Sequence, residues 1–363
     1  MNKPQALYIH IPFCQHLCPY CDFTKMLYHR QLVDDYLLIL AQELDFYHPA
    51  DLKTVFIGGG TPTALDEDQF AHLLDIVAPY VHGVKEYSIE ANIENCTHTK
   101  LLLAKKHGVN RLSFGVQSFN REVLTRAGRK HDRALVEKVI ADARAVGFHN
   151  ISIDLIYGLP AQTLDIWALD VATALSLQIE HLSAYSLIVE PNTPFMQRGI
   201  KQIDEDVSRQ YYDYLLNEAR RHGYERYEIS SFAKPGFESQ HNRIYWRNQY
   251  YFAVGLGASG YLNSYRYINT RKIKDYLKGF FIASKEEIDL IQQEQEYLLL
   301  NLRLKEGFSL QEYQTLFGID FLTRYQKSLD LLRPYQLYEC KDERFYATDE
   351  GLIKLDYLLT HLV

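Results

Sequence analysis

The sequence predicts an α/β fold, a largely parallel sheet covered by helices, followed by a smaller helical unit with a hairpin and a last amphipathic helix near its end. Three observations carry that prediction. Short β-branched or aromatic runs alternate with longer amphipathic stretches through roughly residues 1–220. Polar or glycine-rich groups follow successive runs. The alternation stops after about Leu187 and gives way to aromatic-rich helices and turns. Regular strand–helix alternation implies right-handed βαβ units and a parallel sheet. Six units fit either an open doubly wound sheet or an incomplete (β/α)6 barrel, and periodicity alone does not choose between them.

The expected strands are Leu7–Ile11, Thr54–Ile57, Glu86–Glu90, Arg111–Gly115, Ile151–Ile156 and His181–Ser186. Helical patterns lie between them at Val33–Tyr47, Glu67–Val77, Thr97–His107, Asp132–Val146 and Thr163–Leu177. A cysteine loop follows the first strand and Gly58-Gly59-Gly60-Thr61-Pro62 the second. Glu90 ends the third, Gln117 follows the fourth, and Asp154 lies in the fifth before Tyr157-Gly158-Leu159-Pro160. Such groups at the C-terminal ends of parallel strands point to one shared site, and in a barrel those ends converge.

Beyond Leu187 come a loop at Pro191–Pro194, a Tyr-rich helix over Asp204–His222, the run Tyr227–Phe232, and the stretch His241-Asn242-Arg243-Ile244-Tyr245-Trp246. A glycine-rich turn region (Gly255–Gly260) follows. From about Lys285 the chain is helical again, and Leu337–Lys341 with Arg344–Ala347 make a hairpin around Asp342-Glu343. The expected boundaries are a core domain over residues 1–230, a connecting segment over 231–284, and a winged-helix-like C-terminal domain over 285–363. Winged helices often bind DNA, but residues 290–363 carry eight Lys and Arg against twelve Asp and Glu, so the basic footprint is missing.

At 363 residues and 47% hydrophobic, the chain can bury one large core and a small one. A net charge of −7 argues against non-specific nucleic-acid binding. No apolar run approaches the ~18–20 residues of a membrane span, and the first residues lack a signal-peptide pattern. The expectation is a cytoplasmic protein, with peripheral membrane association left open. In that compartment five cysteines, three of them clustered, favour metal or redox chemistry over disulfides. Cys96 and Cys340 read as ordinary thiols.

Cys14-Gln15-His16-Leu17-Cys18-Pro19-Tyr20-Cys21 is a C-x3-C-x2-C loop. Three thiolates this close can converge on one soft metal centre but cannot complete a four-ligand site. A [4Fe–4S] cluster normally takes a thiolate on each iron, so this loop leaves one iron open to an exchangeable ligand. Zinc is the alternative; it favours paired C-x2-C or an added His at set spacing, and His16 lies inside the loop.

C-x3-C-x2-C with an aromatic before the third cysteine resembles the radical S-adenosylmethionine superfamily. The resemblance continues through Tyr8–Cys14, Gly58–Pro62, Arg111–Phe119, Ala127–His131 and Ile153–Pro160, which look like the HemN/HemW group. Cys-Pro-Tyr-Cys-Asp-Phe together with His-Asn-x-x-Tyr-Trp resembles its heme-chaperone branch. The resemblance implies a partial (β/α)6 barrel with a HemN-type C-terminal domain. It also implies a [4Fe–4S] cluster on Cys14, Cys18 and Cys21, its open iron chelated by the amine and carboxylate of S-adenosylmethionine. By resemblance Tyr8, Gly59 and Glu90 contact that cofactor. Tyr20, Gly60, Thr61, Gln117, Arg129 and Asp154 map onto positions that hold a second S-adenosylmethionine in HemN. For Asp154 the alternative is a structural pair with Arg129.

Two departures separate the chain from coproporphyrinogen dehydrogenases. Phe23 stands where those enzymes have a further cysteine, and only seven residues precede Tyr8, where they have an arm. The branch that fits both departures is the heme chaperones, whose partners are heme and heme-acceptor proteins. His241 is then the candidate heme ligand, since imidazole is the commonest protein ligand of heme iron. Tyr245 and Trp246 offer flat apolar surface, and Arg243 can pair with a propionate. The alternative function is oxygen-independent oxidative decarboxylation of coproporphyrinogen III, which the retained Gln117, Arg129 and Asp154 favour.

Overall fold

The computed structural model describes residues 3–263 and 265–363. Its main sheet has twelve strands. Six of them are β1 (Ala6–Ile11), β2 (Thr54–Gly59), β3 (Glu86–Asn92), β4 (Arg111–Gln117), β5 (Ile151–Tyr157) and β6 (His181–Ser186). They run parallel and pair in that order, from Tyr8 opposite Phe56 to Asp154 opposite Ser183. The helices between them include α1 (Arg30–Tyr47), α2 (Glu67–Val77), α3 (His98–Lys106), α4 (Arg121–Arg126), α5 (Arg133–Val146) and α6 (Leu164–Ser176). Their starts are set locally: Asp66, Thr97, Asp132 and Thr163 each accept a hydrogen bond from a first-turn N–H, and Gly147 ends α5 in a left-handed conformation.

The period of two along each strand sorts its side chains. Leu7, Ile9, Ile11, Val55, Ile57, Leu112, Phe114, Val116, Ile151, Ile153 and Leu155 face outward into one buried core under the helices. Each such side chain contributes about 1.5–3 kcal/mol on burial. The alternate positions, among them Tyr8, Glu90, Arg111, Ser113, Gln117 and Asp154, line the interior. An apolar outer face fixes strand register and leaves the inner face free to carry polar groups.

The sheet extends beyond the six strands. After α7 (Glu205–Arg221), β7 (Glu225–Arg226) and β8 (Ser231–Ala233) add antiparallel beside β6. On the other side β9 (Tyr251–Val254) pairs parallel with β1. An antiparallel meander of β10 (Ser259–Leu262), β11 (Tyr265–Asn269) and β12 (Ile282–Glu287) follows. The strand order begins at β12 and ends at β7, so the barrel stays open.

A short helix, α8 (Gln240–Trp246), sits at the N-terminal end of the strands. The carboxylate of Glu86, the first residue of β3, accepts from the Gln240 and His241 N–H groups at 2.8 and 2.9 Å and from Ser239 Oγ at 3.3 Å. Residues from α9 (Leu290–Asn301) onward build a second core around Tyr297, Phe308, Tyr313, Phe321 and Phe345. Its hairpin turns at Asp342 and Glu343 with φ of 51° and 58°, the left-handed pair whose twist suits a two-residue turn. Arg226, with a side chain 2% exposed, joins the two cores by reaching Asp349 at 2.6 Å. No helix among the described residues is long and apolar enough to cross a membrane.

Candidate functional site

The cysteine loop leaves β1 through Pro12 and is closed by a two-residue parallel ladder, Phe13 opposite Met26 and Cys14 opposite Leu27. The glycine turn after β2 is stitched to it: Gly60 N–H donates to Ile11 O and Thr61 N–H to Phe13 O, both at 2.9 Å. A Cβ on Gly60 would lie 2.7 Å from Ile11 O, and one on Gly59 would enter the His10 ring at 2.3 Å. Gly59 also has φ +105°, a conformation other residues rarely adopt. Only glycine permits this approach of two backbones.

Cys14 is buried, with Sγ 3.6 Å from Thr61 Oγ1, while Cys18 and Cys21 are half-buried. Burial pushes the Cys14 thiol up to about 11 against the Thr61 hydrogen bond, and raises Cys21 against the charge of Lys25. Among the described residues no three His, Cys, Asp or Glu side chains are grouped as a single metal ion would need. Three thiols that open onto the same cavity fit a cluster, in which each thiolate binds a different iron.

All three cysteines line one cavity of about 390 Å³ at the C-terminal ends of the strands. Tyr20, Gly59, Gly60, Thr61, Glu90, Gln117, Arg129 and Asp154 line the same cavity. Glu90 accepts from the Gly59 N–H at 2.8 Å, and burial pushes its carboxyl up to about 7. Gln117 sits at a register shift ending β4 with φ +69°, a sparsely populated conformation for a residue with a side chain. Burial also raises Asp154, opposed by hydroxyls of Ser183 and Ser113; Ser113 Oγ donates to it at 3.2 Å.

The pairing of Asp154 with Arg129 is not formed. Arg129 makes a two-pronged pair with Glu94 at 3.0 and 2.9 Å and donates to Gly115 O at 2.7 Å. Burial alone would raise Glu94, but the hydrogen bond from His131 and the charge of Arg129 outweigh it and hold the carboxyl well below the usual range. Glu94 was not among the expected residues. It lies in a short helical turn after β3 and meets Arg129 only through the fold.

Tyr8 and His241 stand apart from the cysteine cavity. They line a deeper chamber of about 230 Å³ that shares Phe23, Gly59, Glu90, Ser113, Asp154 and Tyr185 with the upper one. Tyr8 OH lies 2.9 Å from His10 Nδ1. His241 is fully buried, its Nδ1 2.7 Å from Thr54 Oγ1 and its Nε2 2.7 Å from Tyr245 OH. Burial and then the charge of Arg111 lower it to about 3, so the ring is neutral. Both ring nitrogens are thus engaged within the protein, and a heme iron would have to displace one of these partners to meet the ring. The rest of the stretch is also engaged. Arg243 pairs with Glu306 at 2.7 Å, and Arg303 covers the Trp246 ring at 4.5 Å.

The sequence pattern of the radical SAM superfamily matches residues 8–170, and that of the HemN C-terminal domain matches residues 288–353. The chain is 40% identical to the heme chaperone HemW of Bacillus subtilis (strain 168), over 97% of this chain and 95% of the relative. It is 36% identical to the heme chaperone HemW of Lactococcus lactis (97% and 95%) and 33% identical to that of Escherichia coli strain K12 (98% and 97%). The solved structure of coproporphyrinogen III oxidase (HemN) from Escherichia coli superposes with a TM-score of 0.86 at 24% identity, covering 99% of this chain and 90% of that one. At that identity the likeness speaks for the fold.

Proposed function

The chain belongs to the HemW family of radical SAM proteins, and on that premise we propose that it is a heme chaperone that binds a [4Fe–4S] cluster, S-adenosylmethionine and heme and hands heme to acceptor proteins. The observation that carries the proposal is the single cavity onto which the cysteine loop, the glycine turn and the polar strand ends all open.

Cys14, Cys18 and Cys21 would hold the cluster. When bound, the cluster and S-adenosylmethionine together supply one-electron chemistry that no side chain offers. The chain's own residues position and screen. Gly59 and Gly60 let backbone groups approach the methionyl end, Glu90 receives its amine, and Tyr8 closes the inner side. Tyr20, Gly60, Thr61, Gln117, Arg129 and Asp154 are the candidate contacts of a second S-adenosylmethionine. Arg129 is pre-oriented for that role by Glu94. Heme ligation by His241 requires the Tyr245 bond to open, so we assign it to a rearranged state.

A second reading, oxidative decarboxylation of coproporphyrinogen III, is favoured by Gln117, Arg129 and Asp154 lining the cysteine cavity. One anaerobically reconstituted sample tests both. Heme is titrated by its Soret band with wild type and His241→Ala, and porphyrin product is followed from coproporphyrinogen with S-adenosylmethionine and a reductant. Tight heme binding without product is expected. Sustained conversion to protoporphyrinogen sinks the chaperone reading, and unchanged heme binding by His241→Ala removes only that ligand.

A further inference from the structure

The lower chamber holds one cation that the proposed function leaves unused. Arg111, the first residue of β4, is 2% exposed and lines the chamber together with Glu90, Ser113, Asp154 and Ser183. Its Nε has no hydrogen-bond partner, and among the described residues the guanidinium forms no ion pair. The nearby carboxylates are committed elsewhere, Glu90 to the Gly59 N–H and Asp154 to Ser113. They feel the charge of Arg111, which draws both carboxyls down against the larger effect of burial, without touching it. The adjacent imidazole of His241 has both nitrogens bonded and cannot accept from it. A buried guanidinium presents planar paired donors and is costly to leave unanswered.

We propose that Arg111 is a carboxylate-receiving residue, pairing at the barrel floor with the acid group of a ligand that reaches down from the cysteine cavity. The two neighbouring carboxylates disfavour a multiply charged anion such as phosphate. They suit a single carboxylate carried on a molecule whose other end is neutral or cationic. The inference rests on the proposed function for its two sources of that group, a heme propionate and the methionyl carboxylate of a second S-adenosylmethionine, the first being taken up by the open iron of the cluster. Glu90 and Asp154 line both chambers, so a ligand seated in the cysteine cavity lies beside the chamber that holds Arg111.

The test uses the anaerobically reconstituted full chain and two pairs of probes: heme against its dimethyl ester, and S-adenosylmethionine against its decarboxylated analogue. Heme is followed by its Soret band and the adenosyl compounds by equilibrium dialysis. Arg111→Gln is expected to weaken one acid probe by about tenfold or more, the size of a charged hydrogen-bond pair. The matched probe lacking the carboxylate should be unaffected, and Arg111→Lys should recover part of the loss. Loss confined to heme assigns the propionate; loss confined to S-adenosylmethionine assigns the methionyl group. Should Arg111→Gln fail to fold, Arg111→Lys decides: it is expected to weaken one acid probe and leave its matched partner unchanged, and unchanged binding of both acids by it overturns the role equally. Equal binding within both pairs by wild type, or unchanged binding of both acids by folded Arg111→Gln, overturns the role of Arg111. A wild type that takes up neither heme nor S-adenosylmethionine removes the chaperone reading itself, a different failure.

Discussion

Glu90 shows how one side chain ties the chemistry of the cavity to the stability of the fold. Burial outweighs the Gly59 hydrogen bond, so its carboxyl titrates at about 7. An unfolded glutamate titrates near ~4.3. A group whose folded value is raised stabilises fully below the unfolded value, and loses that contribution as pH rises through the folded one. The ligand-free protein should therefore lose stability between about pH 4 and pH 7, and Glu90→Gln should flatten that loss, which is on the order of 3–4 kcal/mol. Thermal melting across that range checks it, and parallel profiles for the two proteins refute it. Cys14→Ser, Cys18→Ser and Cys21→Ser should each remove the ~400 nm absorbance of the reconstituted protein, because an iron left without thiolate holds the cluster poorly. Retention of a full four-iron cluster in any one of them contradicts the three-ligand assignment.

At the scale of elements, α8 depends on one residue of another element. It has seven residues, too few to be stable alone, and Glu86 satisfies N–H groups that its own turns cannot. Glu86→Gln should cost about 1–3 kcal/mol. It should also speed amide exchange over residues 240–246 well before exchange in β1–β6 changes; uniform exchange across both regions would show that α8 is held some other way. This helix also marks where the sequence stopped being readable. The six strands and their helices were legible because β-branched runs are bounded by glycine and polar turns, and every helix start after α1 carries its own capping residue. Strands β9–β12 lack such a signature: β9 is set by pairing with a strand some 240 residues earlier, Tyr251 against Ala6, and β10–β12 follow it as an antiparallel meander. The polar strand ends gave the site, but Glu94 and the engagement of His241 depend on contacts across the barrel. Arg111 had a local signal that went unread. It stands two, four and six residues before Ser113, Gly115 and Gln117, on the same inward face.

For the whole molecule, two cores behave as one body only as far as their contacts hold. Arg226 is enclosed and donates to Asp349 at 2.6 Å and to Tyr212 OH at 2.9 Å. Glu228 bridges to Leu304, and Lys305 N–H donates to Tyr227 O at 2.9 Å. Asp349 is half-exposed, so Asp349→Ala should cost only about 1–2 kcal/mol, less than a fully buried pair. The loss should fall at the junction. Limited proteolysis between β12 and α9 is expected to quicken while the melting of the barrel core barely moves, and an unchanged cleavage rate would show that the apolar contacts alone hold the junction.

The open barrel has a consequence of another kind. A sheet that does not close leaves a row of unpaired peptide groups along its last strand, ready to template a neighbouring chain. Every residue of β12 is exposed. Yet Lys285, Glu286 and Glu287 place charge of both signs along that rim, and Lys285 is pinned 3.7 Å above the Tyr265 ring. A second strand docking there would have to strip water from all three. The rim thus acts as a guard against self-assembly, and the colloidal fate of the protein rests on a stretch far from any cofactor.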